Sequence, residues 1–214
     1  ARARVLDRIA DLVEARDARL AELETFDTGL PITQALGQAQ RAAENFRFFA
    51  DLVVGQTDDA YQVPGRQINY VNRRPVGVAG LITPWNTPFM LESWKLGPAL
   101  ATGNTVVLKP AEFTPLSASL WAGIVEEAGL PRGVFNLVNG LGEDAGDALV
   151  KHPEVPLISF TGVAIVALAV AVVPLQAQYA FSKYVNGAGS RAAAGLGERA
   201  FADRRVPDGA QVGE

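Results

Sequence analysis

The chain has 214 residues, 49% of them hydrophobic and 20% charged, with a formal net charge of −4. That length and balance suit one large or two small folded domains and exclude a wholly disordered chain. The mildly acidic charge argues against general nucleic-acid binding, which needs clustered Lys and Arg to neutralise phosphates.

There is no Cys and only one His, His152. Disulfides, thiolate nucleophiles, Cys-ligated zinc and His-rich metal sites are therefore excluded within these residues, and no metal is expected. The absence of Cys fits a cytoplasmic protein. The chain opens on a charged helical pattern rather than the basic start and apolar run of a secretory leader. The longest apolar stretch, Val163 to Val173, falls far short of the roughly 20 residues that span a bilayer, so no membrane association is expected.

In chain order, Val5, Leu6, Ile9, Leu12, Val13, Leu20 and Leu23 recur at helical spacing and predict one helix from about Arg2 to Thr25. Asp27-Thr28-Gly29-Leu30-Pro31 stops and restarts the chain. A second helix is expected from about Ile32 to Val54, with Leu36, Ala39, Ala43, Phe46 and Phe49 on its apolar face. Tyr61 to Val63 and Gln67 to Arg74, around Pro64-Gly65, read as two short strands. From Pro75 the pattern alternates. Strands are expected at Val76–Ile82, Thr105–Leu108, Val134–Val138 and Val155–Phe160. Helices are expected at Pro88–Leu100, Ser117–Ala128 and Glu143–Lys151. Alternation at this pitch argues for parallel βαβ units, and unbroken apolar strands argue for a sheet covered on both faces. The fold class expected is α/β, an incomplete Rossmann-like parallel sheet with N-terminal helices and a short bridging β-segment.

In such sheets ligands bind where strands end and helices begin. The strand ending at Ile82 runs into Thr83-Pro84-Trp85-Asn86. Asn86 is either a turn residue between prolines or an amide donor suited to a developing oxyanion. The strand ending at Leu108 runs into Lys109 and Glu112. These form either a solvated ion pair at a helix start or a donor–acceptor pair suited to a ribose diol. After Val138, Gly140, Gly142 and Gly146 approximate a dinucleotide fingerprint with the last gap one residue too long. The strand ending at Phe160 leads into Thr161-Gly162.

Taken together, the Leu-Glu-Thr-Phe-Asp-Thr-Gly run, "RRPVGVAGLITPWNTP", "ALATGNTVVLKPAEFTP", "GLPRGVFNLVNGLGEDAG" and "ISFTG" resemble the aldehyde dehydrogenase superfamily from Ala1 to Gly162. Within it, the resemblance is to the 5-carboxymethyl-2-hydroxymuconate semialdehyde dehydrogenases of aromatic catabolism. The resemblance implies NAD as cofactor and an aldehyde or semialdehyde as substrate. By the same resemblance, Ile82, Thr83, Pro84 and Trp85 line the cofactor pocket and Asn86 is the oxyanion donor. Lys109 and Glu112 hold the adenosine ribose, Gly142 and Gly146 flank the cofactor, and Phe160, Thr161 and Gly162 open a further contact. Residues 61–74 match a bridging region through which subunits associate, family members being homo-oligomers.

The expected organisation is therefore a family-like region over 1–162, with helices over 1–60, bridging strands over 61–74 and cofactor-binding βαβ units over 75–162. A tail over 163–214 lies outside the family pattern and is expected to be partly disordered. Departures from the family are specific. Val163 and Ala167 stand where a small polar residue and a glycine are usual, and Leu30 replaces a Lys. The later Glu-Leu-Gly-Gly-Lys segment with its general-base Glu is absent, as is any Cys. Without a thiolate the chain lacks the family's nucleophile, which leaves cofactor binding. The alternative is a non-catalytic interaction module or truncated remnant that pairs with a full-length homologue. In the tail, Tyr179 and Lys183 form a Tyr-x-x-x-Lys pattern resembling short-chain dehydrogenases. A chance match, a shifted reading frame and a fused remnant all accommodate it.

Overall fold

The computed structural model describes residues 1–64 and 67–162. The expectations for the 163–214 tail, including Tyr179 and Lys183, lie outside the described residues.

The first expected helix is two. Helix α1 spans Arg2–Glu14 and α2 spans Asp17–Thr28. The buried stripe of α1 ends at Ile9, Ala10, Leu12 and Val13. The next positions on that face are Arg16 and Asp17, which cannot be buried unpaired. The chain breaks there, with Arg16 at φ −122°. The Asp17 carboxylate accepts from the Ala18 N–H at 2.6 Å at the new helix start, and Arg16 pairs with Glu127. The break lets Leu20, Ala21 and Glu24 turn inward. Gly29 ends α2 at φ +76°, a left-handed conformation that a side chain would disfavour. Pro31 then starts α3, Ile32–Gly55. Ala35, Ala39, Ala42, Ala43 and Ala50 line the buried face of α3, and these small residues let α1, α2 and α4 pack against it.

Strands β1 (Ala60–Val63) and β2 (Gln67–Tyr70) pair antiparallel, with Tyr61 opposite Asn69. The second strand was expected to reach Arg74 but stops at Tyr70. Arg73 instead reaches back to the Thr57 carbonyl and the Asp58 and Asp59 carboxylates, which curls the segment out of a ladder.

The main sheet has four parallel strands: β3 (Val78–Ile82), β4 (Thr105–Lys109), β5 (Phe135–Leu137) and β6 (Leu157–Phe160). Their order is β5-β4-β3-β6. The chain walks outward from β3 to β5, then returns to the other side of β3, so the order reverses between β3 and β6. Strand β3 starts two residues later than expected, because the Val76 and Gly77 N–H groups donate to the buried Asn104 side chain at 2.8 and 3.2 Å. At Gly80 a Cβ would lie 2.6 Å from the Ile158 side chain and 3.2 Å from Leu149 and Val155, so only glycine lets β6 and its preceding helix sit this close.

Helix α4 spans Pro88–Ala101, α5 spans Leu116–Glu127 and α6 spans Asp147–Lys151. The last was expected to start at Glu143. Residues Gly142–Gly146 instead form a wider π-turn ahead of it. The core joins both layers through Trp121, stacked on Phe89 at 4.1 Å and tilted against Phe46 at 5.3 Å.

Candidate functional site

The four turns singled out in the sequence emerge side by side. Ile82 is in register with both Lys109 and Phe160. The ladder continues past the strands, with the Thr83 N–H donating to the Lys109 carbonyl at 3.2 Å and the Thr161 N–H to the Ile82 carbonyl at 3.1 Å. This is the carboxyl edge of the sheet, at the crevice where the strand order reverses, which is where open α/β sheets hold ligands.

Ile82 and Thr83 are buried and form the floor. Pro84 is half-buried, while Trp85 and Asn86 are exposed at the mouth. The Trp85 carbonyl accepts from Thr114 Oγ1 at 3.2 Å, which fixes the turn before α4 begins at Pro88. Phe160 is half-buried, with Thr161 and Gly162 exposed beyond it.

Lys109 is 3% exposed, and its Nζ donates to Glu112 Oε2 at 2.8 Å. The pair is thus buried at its ammonium end and open to solvent at its carboxylate end. The ammonium is buried, and α5 begins only at Leu116. The Glu112 carboxyl is held below its usual range first by the Lys109 hydrogen bond, then by its own backbone N–H and, further down, by the Gly142 N–H. Lys109, Glu112 and Gly142 thus converge, though they come from two different strand ends. Beside them the Leu141 carbonyl gathers the N–H groups of Asp144, Ala145 and Gly146 at 3.3, 3.0 and 3.3 Å.

Beneath this rim lie groups that the sequence reading did not single out. Glu92 is fully buried; its Oε2 accepts from Trp121 Nε1 at 2.8 Å, and its Oε1 lies 3.5 Å from Thr83 Oγ1. Burial pushes the Glu92 carboxyl up to about 8, against the lowering pull of the Trp121 bond, with Glu24 adding to the rise. Burial likewise pushes Glu24 up to about 7, opposed by the Phe89 N–H. Lys95 is buried against Ser159 Oγ at 2.9 Å and is pushed down to about 8 by desolvation. The available signal was the company these residues keep. In Phe-Met-Leu-Glu-Ser-Trp-Lys-Leu-Gly-Pro-Ala-Leu-Ala no wide polar face exists for Glu92 and Lys95 to occupy.

A cavity of about 550 Å³ opens at the opposite end of the sheet, lined by Arg2, Val76, Asn104 and Leu157 among others. It lies away from every turn that the sequence nominates. Among the described residues no cluster of His, Cys, Asp and Glu is suited to hold a metal, and no helix is long and apolar enough to cross a membrane.

Comparison with known proteins finds relatives of this sequence and fold. The chain is 53% identical over 163 residues to 2-aminomuconic semialdehyde dehydrogenase of Danio rerio, covering 75% of this chain and 34% of that protein. It is 46% identical over 162 residues to 5-carboxymethyl-2-hydroxymuconate semialdehyde dehydrogenase of Escherichia coli, covering 75% of this chain and 35% of that one. The structure superposes on an NAD+ complex of an aldehyde dehydrogenase from Bacillus cereus with a TM-score of 0.79 and 39% identity, over 83% of this chain and 36% of that chain. The chain thus spans about a third of the length of the relatives it matches. The model of the aldehyde dehydrogenase family matches residues 1–191, past the Gly162 boundary expected from the sequence and into residues outside those described. With its parallel sheet, its converging strand-end turns and this match over most of its length, the chain belongs to the aldehyde dehydrogenase family.

Proposed function

We propose that this chain binds NAD across the carboxyl ends of β3, β4 and β6, as the dinucleotide-holding part of an NAD-dependent oxidation of an aldehyde or semialdehyde to a carboxylate. The observation that carries the reading is the Lys109–Glu112–Gly142 convergence. A buried ammonium and a partly exposed carboxylate, 2.8 Å apart at a strand end, offer a donor and an acceptor to the two hydroxyls of a ribose. Ile82, Thr83, Pro84 and Trp85 form the wall beside it. Gly142 and Gly146 permit close backbone approach, and Phe160, Thr161 and Gly162 close the far side. When bound, NAD supplies the hydride acceptor. Asn86, exposed at the mouth, is placed to donate its amide to an oxyanion. The relatives named for muconic semialdehydes support a semialdehyde of aromatic catabolism as the substrate class, and the cysteine-free sequence supports the cytoplasm as its place.

The 214 residues contain no Cys, so this chain forms no thiohemiacetal and by itself turns over no aldehyde. The test has two arms. Calorimetry on the purified chain should show NAD binding. Absorbance should show no aldehyde-dependent NADH formation with any semialdehyde. NADH formation that falls on Asn86→Ala would overturn the second arm, and absence of NAD binding would overturn the first.

A second reading is favoured by one observation: Tyr61, Ile68 and Tyr70 on the β1–β2 hairpin are 61%, 68% and 74% exposed. In that reading the chain is an interaction module that joins a full-length homologue through residues 61–74. Co-elution with such a homologue, lost on Ile68→Asp, would favour it over cofactor binding alone.

A further inference from the structure

Behind the Thr83–Thr87 turn, two carboxyl groups are buried with no counter-ion among the described residues. Glu92 and Glu24 are both 0% exposed. The groups facing them can be named element by element. From α2 come Glu24 itself and Asp27, whose charge also acts on Glu24. From α4 come the Phe89 N–H and, one turn beyond Glu92, Lys95, whose ammonium is taken by Ser159. From α5 comes the Trp121 N–H and from the end of β3 the Thr83 hydroxyl. Among the described residues no cation acts on either carboxyl. Among the described residues neither oxygen of Glu24 has a hydrogen-bond partner of ordinary geometry. Two unneutralised anions in one apolar pocket are costly, and such groups bind protons instead.

The bonding pattern says where the proton goes. Glu92 Oε2 accepts from the Trp121 N–H, which can only donate. The remaining oxygen, Oε1, faces Thr83 Oγ1 at 3.5 Å. We propose that Glu92 is a neutral carboxylic acid whose proton sits on Oε1, the oxygen that faces the Thr83 hydroxyl rather than the Trp121 N–H. Glu92 is thus a positioning residue: it acts on the crevice through Thr83. Its elevated range, about 8, and that of Glu24, about 7, agree with this assignment.

The sign of the pH dependence follows. A carboxyl raised in the folded state keeps a proton that the unfolded chain releases. Stability therefore falls as pH rises from the ordinary value of 4.5 through about 8, and levels off above. The decisive variant is Glu92→Gln. Its amide oxygen accepts from Trp121 and its NH2 faces Thr83, so it reproduces the neutral acid and cannot ionise.

Urea unfolding of the purified chain across about pH 5 to 9 should show a stability decline in the wild type that is reduced in Glu92→Gln. Glu92→Met, with neither acceptor nor donor, should be less stable throughout. The carbonyl infrared band of a neutral carboxyl at about pH 7 should weaken in Glu92→Gln. The NAD dissociation constant of the wild type should rise about tenfold between roughly pH 7 and 9, and that of Glu92→Gln less than about twofold. Parallel pH–stability curves for wild type and Glu92→Gln, or a Glu92→Gln chain that does not fold, would overturn the proposal. The NAD arm rests on the dinucleotide reading above. If the wild type binds no NAD at any pH, that reading fails, and the stability and infrared arms still decide on the proton.

Discussion

Replacing Lys109 with Met separates a ligand-facing ion pair from a structural one. Methionine keeps most of the length and apolar stem of the side chain, so packing along β4 is preserved. What disappears is the ammonium, 3% exposed and 2.8 Å from Glu112 Oε2. Two opposing effects set the stability change. The lost attraction is modest, because the Glu112 side chain is 32% exposed and water screens it. The variant also no longer desolvates a buried cation. The net cost should be about 1 kcal/mol or less. Cofactor affinity behaves differently. A charge-assisted hydrogen bond to the ribose contributes about 1.5–3 kcal/mol, so NAD should bind roughly 10- to 150-fold more weakly. The pH profile adds a signature. Glu112 is depressed mainly by Lys109, so the stability it contributes is present above the ordinary carboxylate range and is lost as pH falls through its lowered folded value. Lys109→Met should flatten that acid limb. Urea unfolding and calorimetry on the same preparation decide the matter. A stability loss above about 3 kcal/mol, the scale of a broken buried pair, with NAD affinity unchanged would refute the argument.

Cofactor choice should follow Glu112. A carboxylate at the ribose hydroxyls repels a 2′-phosphate, so the chain should prefer NAD to NADP and Glu112→Gln should narrow the preference; tighter calorimetric binding of NADP by the unaltered chain would contradict this. Gly80→Ala should cost about 1–3 kcal/mol in urea unfolding, because its Cβ would meet Ile158 at 2.6 Å between packed side chains; an unchanged midpoint would show that β6 is free to shift.

Where single segments carried their own signal, the sequence was readable. Strands β3 to β6 are short, mostly apolar runs between turn residues, and α3 begins after Pro31 with a small-residue stripe. All were placed to within about two residues. Where the signal depended on a distant partner, it was not readable. The end of β2 goes with Arg73 finding Asp58 and Asp59, whereas the break between α1 and α2 had a local signal, Arg16 and Asp17 on the buried face, that the helical spacing alone passed over. The late start of β3 depends on Asn104. At the site, the spacing of Lys109 and Glu112 suggested a pair, but not that β4 would bury its ammonium or that Gly142 would join it. Glu92 had a local signal in the apolar company of its helix, but Glu24 sits on a helix rich in charge, where its burial is not legible until the packing is known.

The strand order has a kinetic consequence. Strand β3 pairs with β4 across one helical crossover, but with β6 only after two further crossovers, joining Ala79 to Leu157. Distant pairings carry a larger chain-closure cost before any contact rewards it. During synthesis β3, β4 and β5 should therefore be able to pair before β6 is available to them. Until then the flank of β3 that pairs with β6 should be an open edge with unpaired amides, the kind of surface that holdase chaperones bind. Pulse-labelled hydrogen exchange should therefore protect the β3–β4 amides before those of β6.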